Sequence, residues 1–199
     1  AIDNSCSKEI SFGLSKYAWQ QDLQDKVNRL VGGLMKEWKF GVVGCGRIGA
    51  RHAEKIRELG RLAAVCDLDL DKCCALAIEE EATFVGIDEL LSAADEIDVV
   101  SICTPNGLHC EQAIAAMESG CHVVCEKPMA LTTEDCEKMI RCSEANQRNL
   151  FIVKQNRYNP PVKRLKEAIE DGALGDLSFV QLNCFWNRNE DYYRLDPWK

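Results

Sequence analysis

The sequence lacks long apolar runs, a surplus of basic residues and any Cys-x-x-Cys pair. No apolar run approaches the roughly 18 residues that a membrane span needs, and the charged N-terminus, AIDNSCSKEISFG, has no apolar signal-peptide core. Lys and Arg number 24 against 32 Asp and Glu, for a formal charge of -8, so the basic footprint of a nucleic-acid binder is missing. We therefore expect no membrane partner, no nucleic-acid partner and a cytoplasmic location.

Cysteine is unusually abundant, with 12 in 199 residues. Three cysteines fall in predicted strands, Cys66, Cys103 and Cys125, and four in predicted helices, Cys73, Cys74, Cys136 and Cys142. Only three histidines complement them, and no zinc-ligand spacing occurs. The sequence therefore favours small buried thiols of a reduced protein over disulfides, and we predict no metal site.

From Lys39 onward, short β-branched segments alternate with segments of helical periodicity. Strands are predicted at 39–44, 62–66, 97–103, 122–126 and 150–155, with a weaker one near 82–85. Helices are predicted at 49–59, 70–80, 88–94, 107–119 and 133–147. Strands that are apolar throughout, such as VVSIC, are typical of a parallel sheet with helices on both faces. The fold class is therefore α/β, with a doubly wound Rossmann domain.

Two further segments flank this domain, which we place at 38–156. Residues 1–37 contain one amphipathic helix before Met35, interpreted as a tag or leader or, alternatively, as a partner-binding helix. Residues 157–199 continue with a helix and an alternating strand, LSFVQLNCFWNR. Because a single strand cannot bury a sheet face, we expect the start of a truncated α+β substrate domain.

The first strand leads directly into GCGRIG, which completes a G-x-G-x-x-G motif at Gly44, Gly46 and Gly49. In this strand-to-helix context the glycines permit a tight turn, a close approach of a pyrophosphate and close packing of helix on strand. A chance glycine cluster is the weaker alternative, and the loop of a methyltransferase also stays open.

Asp67 ends the second strand roughly 20 residues beyond the first glycine, where an acid accepts a hydrogen bond from a ribose 2′-hydroxyl. A carboxylate there favours NAD over NADP, unless Arg47 or Lys72 compensates the charge of a 2′-phosphate. The alternative is an ordinary turn or helix-cap aspartate, because Asp69 and Asp71 follow in the same loop.

Two further strand ends carry polar clusters, Thr104-Pro105-Asn106 with His109, and Glu126-Lys127-Pro128. In an open parallel sheet, ligands bind beyond the carboxyl ends of the strands. Gly44, Asp67, Thr104, Glu126 and Gln155 all sit at such ends, so the sequence predicts one binding edge.

These motifs resemble the Gfo/Idh/MocA family of sugar oxidoreductases over residues 38–199. Three stretches carry the resemblance: GCGRIGARHAEKI, CTPNGLH and CEKPMALT. The resemblance implies that NAD is the cofactor and that Lys127, at a cis Lys127-Pro128 bond, accepts the proton of the hydroxyl being oxidised. The implied cofactor-binding residues are Gly44, Gly46, Arg47, Ile48, Gly49, Asp67, Thr104, Pro105, Asn106, His109, Glu126, Lys127 and Gln155.

Within the family, KQNRYNPPV and the C-terminal segment resemble the branch that oxidises C3 of UDP-N-acetylglucosaminuronic acid, or a close UDP-sugar, for surface polysaccharides. Lys127, Arg157 and Asn159 then bind the substrate, and self-association into a homo-oligomer is expected. Aromatic and basic residues near the end suit a uridine diphosphate: Trp186, Arg188, Tyr192, Tyr193 and Trp198.

The sequence departs from the family pattern because it contains no D-x-x-x-H arrangement, so we expect no more than trace turnover by this chain. Two other functions therefore stay open. One is an inositol or free-sugar dehydrogenase of the same family. The other is a non-catalytic dinucleotide-binding module.

Overall fold

The computed structural model describes residues 37–185 together with 187, 189 and 190. The predicted N-terminal helix lies outside the described residues. Of the C-terminal aromatic and basic residues, Trp186, Arg188, Tyr192, Tyr193 and Trp198 also lie outside them.

Six parallel strands form one sheet in the order β3-β2-β1-β4-β5-β6. The strands are β1 (Lys39–Val43), β2 (Arg61–Cys66), β3 (Ala82–Phe84), β4 (Val99–Ile102), β5 (His122–Cys125) and β6 (Leu150–Ile152). From β1 to β3 each strand is added toward one edge of the sheet, and from β4 to β6 toward the other edge. The boundary between β1 and β4 is therefore the switch point at which doubly wound sheets bind dinucleotides. The predicted Rossmann fold class is thereby confirmed.

Helices connect the strands in sequence. They are α1 (Arg47–Leu59), α2 (Leu70–Leu76), α3 (Ile87–Ser92), α4 (His109–Glu118), α5 (Thr133–Ala145) and α6 (Pro160–Glu170), with 3-10 turns at Ala94–Glu96, Asn106–Leu108 and Gln155–Tyr158. In α1 the buried positions include Gly49, His52, Ala53 and Ile56, which is the i, i+3, i+4, i+7 spacing of one helix face.

The core lies on both faces of the sheet because successive strand residues point to opposite sides. Val42 belongs to a cluster with Ala53 and Ile56 of α1. Its neighbour Val43 belongs to a second cluster that includes Met117 of α4. The continuous apolar strands seen in the sequence are explained by this two-sided burial.

Several elements differ from the predicted bounds, and the strand predicted at 150–155 spans only Leu150–Ile152. The helix predicted at 70–80 ends at Leu76, because the Arg57 guanidinium donates to the Leu76 carbonyl at 2.8 Å and to the Glu81 carboxylate. The strand predicted at 97–103 spans only Val99–Ile102. The segment 177–185, predicted as a strand, forms none, because no described strand pairs with it.

The cysteines that the structure describes are free thiols. Six of them are buried and three, including Cys136 and Cys142, are partly buried. Cys74 and Cys184 are exposed, so the assignment of Cys74 to the core was wrong. Cys74 lies on the outer side of α2, one residue after the buried Cys73. Among the described helices, none has both the length and the apolar character needed to cross a bilayer.

The chain divides into two units. The first holds the sheet, α1–α5 and the described residues from 176 onward. The second, Gln155–Gly175, contains the 3-10 turn and α6, and in it the Lys163 ammonium lies 5.5 Å from the centre of the Tyr158 ring.

Candidate functional site

The loop between β1 and α1 requires glycine at two positions for reasons internal to the fold. Gly44 has a φ of 96°, and a Cβ there would lie 2.8 Å from the Cys103 carbonyl carbon and oxygen. A Cβ at Gly49 would overlap the Gly44 carbonyl oxygen. The first glycine thus permits the turn, and the third lets α1 pack against the end of β1.

Gly46 is different, because neither its backbone nor its neighbours require glycine. Its φ of -73° suits any residue, and a Cβ there would meet nothing within 4 Å. The space in front of Gly46 is therefore open, as close approach of a pyrophosphate requires. It also lies at the start of α1, where no side chain caps the helix and no acid occurs in the first turn, so the N–H groups and the helix dipole favour an anion.

Asp67 lies just past β2 and is tied to the same loop. Its Oδ2 accepts a hydrogen bond from the Cys45 N–H at 2.8 Å, and its Oδ1 accepts from the Asp69 N–H at 3.0 Å. The carboxylate is only partly buried, and each oxygen keeps a further lone pair for an external hydroxyl. The position expected for a ribose partner is therefore held against the glycine loop.

Two thiols pack beneath this loop. The Cys45 and Cys73 sulfurs lie 3.8 Å apart, and the Cys45 thiol donates to the Cys66 carbonyl at 3.5 Å. Burial is the main cause that raises the pKa of both thiols. They therefore act as small uncharged core residues, and among the described residues no group of three or more ligands could hold a metal ion.

The loop after β4 adds a second wall to this edge. Thr104 donates its hydroxyl hydrogen to the Gln112 side-chain oxygen at 2.5 Å. Pro105 is exposed, and Asn106 begins the short 3-10 turn that precedes α4. The main chain here approaches β1 closely, since the Cys103 N–H donates to the Val43 carbonyl at 2.7 Å.

A buried polar cluster links α1, β4 and β5. The His52 Nδ1 lies 2.7 Å from the Ser101 hydroxyl, and its Nε2 lies 3.1 Å from the Glu126 carboxylate. Burial lowers the pKa of His52, but Cys103 and Glu126 outweigh it and raise the pKa to about 10. Burial raises the pKa of Glu126, yet the hydrogen bond from His52 and the Lys127 N–H bring it below its ordinary value. The two opposite shifts favour the ionised pair, an imidazolium facing a carboxylate.

Lys127 follows Glu126 at the same edge. Its side chain is exposed, whereas Glu126 is only 8% exposed. The Lys127 N–H donates to the other Glu126 carboxylate oxygen at 3.1 Å, and the Lys127-Pro128 bond is cis, as the resemblance implied. The turn thus projects the Lys127 side chain away from the core.

His109, predicted to bind the cofactor, is fully buried at the start of α4. Its Nδ1 lies 2.7 Å from the Pro128 carbonyl oxygen and its Nε2 lies 2.9 Å from the Thr104 carbonyl oxygen. The ring therefore joins two loops of the site, and its role in binding the cofactor stays a prediction.

Other predicted residues stand as follows. Arg47 is exposed and Ile48 partly buried in the first turn of α1. Gln155, Arg157 and Asn159 are exposed in the second unit, and their roles stay predictions.

Sequence reasoning missed His52, Ser101 and Gln112. A signal for the first existed, because His52 stands on the apolar stripe of α1, where a polar side chain needs a buried partner. Ser101 likewise interrupts the apolar strand VVSIC.

A family model described as "Oxidoreductase family, NAD-binding Rossmann fold" matches residues 38–154. The WlbA dehydrogenase from Bordetella pertussis, solved in complex with NADH and UDP-GlcNAcA, is similar with a TM-score of 0.77 and 36% identity, over 82% of this chain and 51% of that one. UDP-N-acetylglucosamine 3-dehydrogenase from Acidithiobacillus ferrooxidans is 33% identical, over 67% of this chain and 42% of its own.

Inositol 2-dehydrogenase/D-chiro-inositol 3-dehydrogenase from Halalkalibacterium halodurans is also 33% identical, over 72% of this chain and 43% of its own. The chain thus spans about half the length, or less, of the relatives it matches. The matched residues include the glycine loop, Asp67, the Thr104 loop and Lys127, and the opening in front of Gly46 fits the cofactor of this family. The chain belongs to the Gfo/Idh/MocA oxidoreductase family, and NAD is its cofactor.

Proposed function

We propose that this chain forms the NAD-binding and proton-accepting part of a dehydrogenase that oxidises the C3 hydroxyl of a UDP-linked N-acetylated sugar or uronic acid. The synthesis of surface polysaccharide sugars is the matching biological role. The observation that carries the proposal is Lys127, an exposed amine on a buried and hydrogen-bonded turn at the edge that also holds the nucleotide loop. The complex of the Bordetella relative with NADH and UDP-GlcNAcA supports this substrate class.

The chain's own residues divide the work. The N-terminus of α1 and the space at Gly46 hold the pyrophosphate, and Asp67 accepts from the ribose 2′-hydroxyl. Bound NAD supplies the hydride acceptor. Lys127 Nζ, as the neutral amine, takes the proton from the sugar hydroxyl and becomes an ammonium as the sugar carbon becomes a carbonyl, which is general base catalysis.

Arg157 and Asn159 are assigned to the anionic part of the substrate. A guanidinium binds a carboxylate or phosphate through two parallel hydrogen bonds. The side chains of Arg157 and Asn159 are both exposed in the second unit. Gln155 is assigned to the cofactor.

A second candidate is oxidation of a free polyol, because the inositol dehydrogenase relative matches as much of the chain as the UDP-sugar enzyme does. The two substrates differ in charge. A nucleotide sugar requires Arg157, whereas a neutral polyol does not, so Arg157→Leu separates them.

The experiment measures NADH formation with UDP-N-acetylglucosaminuronic acid, UDP-N-acetylglucosamine and myo-inositol. It uses the 199-residue chain and a form extended C-terminally to the length of the relatives. We expect NADH binding by both forms, no more than trace turnover by the first, and turnover of the UDP-sugars by the extended form. Lys127→Ala lowers kcat of the extended form by about 10²- to 10⁴-fold and changes NADH affinity less than twofold (~0.4 kcal/mol).

Lys138→Ala is the control, because Lys138 is an exposed lysine on α5 that is paired with Asp135, away from the strand ends. If the extended form oxidises myo-inositol in preference to the UDP-sugars, the substrate is a free polyol and not a nucleotide sugar. NADH binding without oxidation of any substrate by the extended form would favour the non-catalytic module. An active Lys127→Ala variant would refute the role of the lysine.

A further inference from the structure

We propose that two buried histidines, His52 and His109, are positioning residues that fix the main chain on both sides of Lys127. The inference rests on the proposed role of Lys127, but its geometric content can be tested without turnover. Both histidines are buried, and each reaches the turn from a different helix.

His52 fixes the residue before Lys127. It stands on α1, which begins at the glycine loop, and it lies 3.1 Å from Oε1 of Glu126. The other carboxylate oxygen of Glu126 accepts the Lys127 N–H at 3.1 Å. One carboxylate therefore connects the helix of the nucleotide site to the amide of the proposed base. Ser101, at 2.7 Å from the other ring nitrogen, sets the orientation of the imidazole.

His109 fixes the residue after Lys127. Its Nδ1 lies 2.7 Å from the Pro128 carbonyl oxygen, and the opposite nitrogen lies 2.9 Å from the Thr104 carbonyl oxygen. The ring thus spans the loop after β4 and the turn after β5. Because His109 is fully buried, water does not compete for these contacts.

The two contacts matter because the Lys127 side chain has no hydrogen-bonding partner of its own among the described residues. A lysine has four rotatable bonds, and an exposed amine is placed only by its backbone and by its ligand. Fixing the peptides on both sides narrows the volume that Nζ explores, which is the positioning from which catalysis gains. It also couples the lysine to the two loops that line the cofactor.

The charges agree with this arrangement. The groups facing His52 include Ser101 and Cys103 on the β4 side and Glu126 on the β5 side. An imidazolium donates from both nitrogens, so it satisfies the hydroxyl and the carboxylate together. A buried charge pair of this kind is costly to break from one side, which makes the Glu126 orientation stiff.

The test measures amide hydrogen exchange in the whole 199-residue chain with no ligand. His52→Leu and His109→Leu remove the ring hydrogen bonds, whereas His52→Gln and His109→Gln each restore one donor. In the Leu variants we expect the Lys127 amide to exchange at least about tenfold faster, beyond any change at Val42 and Val100, whose amides report global opening. In the Gln variants the exchange rate of the Lys127 amide returns to within about threefold of wild type (~0.65 kcal/mol).

His122→Leu is the matched control. His122 stands at the other end of β5, where its Nδ1 accepts the Asn149 N–H at 2.9 Å, so its removal leaves the Lys127 amide unchanged. If a Leu variant fails to fold, Glu126→Gln replaces it, because it keeps the side-chain shape and removes the charge that joins His52 to Lys127. It too must accelerate exchange at Lys127.

The kinetic arm uses the extended form described above. Loss of either histidine lowers kcat by about 100-fold, while KM for the UDP-sugar and NADH affinity change less than threefold (~0.65 kcal/mol). Exchange at Lys127 that rises only in step with Val42 and Val100 would reduce the histidines to general stabilisers and overturn the inference. If Lys127→Ala retains turnover, the proposed function fails, and the exchange measurement still decides whether the histidines fix the turn.

Discussion

At the scale of single residues, Asp67 has two roles, of which its position in the sequence indicated only one. It was expected to accept from a ribose hydroxyl, and it also accepts from the Cys45 N–H of the glycine loop. The same carboxylate thus shapes the glycine loop, and in the proposed cofactor complex it repels a 2′-phosphate. Its removal affects both the strength and the selectivity of cofactor binding.

We expect wild type to bind NADH more tightly than NADPH, and Asp67→Ala to narrow this preference by about tenfold or more, because a hydrogen bond to a charged group and a repulsion are both lost. Fluorescence titration with each dinucleotide measures the two dissociation constants. Asp69→Ala is the control, since Asp69 is exposed in the same loop and caps α2 through the Asp71 N–H. Equal affinities in wild type would contradict the assignment.

The His52–Glu126 pair predicts how stability depends on pH. The pKa of His52 is raised from 6.5 to about 10 in the folded chain, so its contribution is complete below pH 6.5 and is lost as pH rises through about 10. The pKa of Glu126 is lowered from 4.5, so its contribution is complete above pH 4.5 and is lost on further acidification. Both contributions are present together between these two pH values.

Denaturant unfolding of wild type and Glu126→Gln checks this. The difference in their free energies of unfolding is expected to be largest between pH 4.5 and 6.5. The difference in free energy of unfolding should decrease by about 1 kcal/mol or more by pH ~9, because His52 loses its proton. A difference that is constant across this range would mean that the pair is not charged. Glu137→Gln, on the exposed face of α5, serves as the control.

At the scale of elements, the unit formed by β1, its loop and α1 predicts opposite outcomes for two glycines. A methyl group at Gly49 overlaps the Gly44 carbonyl, so Gly49→Ala destabilises the fold by about 1–3 kcal/mol or more. A methyl group at Gly46 meets nothing within 4 Å, so Gly46→Ala leaves unfolding within about 0.5 kcal/mol of wild type. It nevertheless fills the space of the pyrophosphate and weakens NADH binding by about tenfold or more.

Thermal unfolding and NADH titration of both variants measure this separation. Gly86→Ala is a useful reference, because Gly86 has open space around it but a φ of 98°, so its cost is backbone strain alone. If Gly46→Ala binds NADH normally, the pyrophosphate does not lie over Gly46.

The elements also account for what the sequence could and could not predict. The strands and the polar edge followed from local patterns, since each strand carries its own apolar run and its own terminal residues. The end of α2 at Leu76 did not, because it depends on Arg57 of α1. The contact between His52 and Glu126 joins positions 74 residues apart, and no local periodicity encodes such a distance. For 177–185, alternation indicated a strand, but a strand forms only where a partner edge exists.

At the scale of the whole molecule, the described surface is uneven. The nucleotide edge is polar, whereas the segment 177–185 presents a run of exposed apolar side chains. Phe179 is 80% exposed, Leu182 88% and Phe185 90%. Such a contiguous patch is uncommon on a monomer and favours contact with another apolar surface. The homo-oligomer expected from the family resemblance would bury surface of this kind.

We therefore expect the 199-residue chain to self-associate as its concentration rises, and the triple variant Phe179→Ser, Leu182→Ser, Phe185→Ser to weaken association at least about 100-fold, since burying each side chain contributes about 1.5–3 kcal/mol. Sedimentation velocity measures the association. Leu68→Ser and Leu131→Ser are the control, because these leucines are 82% and 67% exposed but lie outside the segment. NADH affinity should be unchanged in the triple variant, since the glycine loop, Asp67 and Lys127 precede the segment. A wild-type chain that stays monomeric at high concentration would contradict the prediction, and equal weakening by the control would place the contact elsewhere.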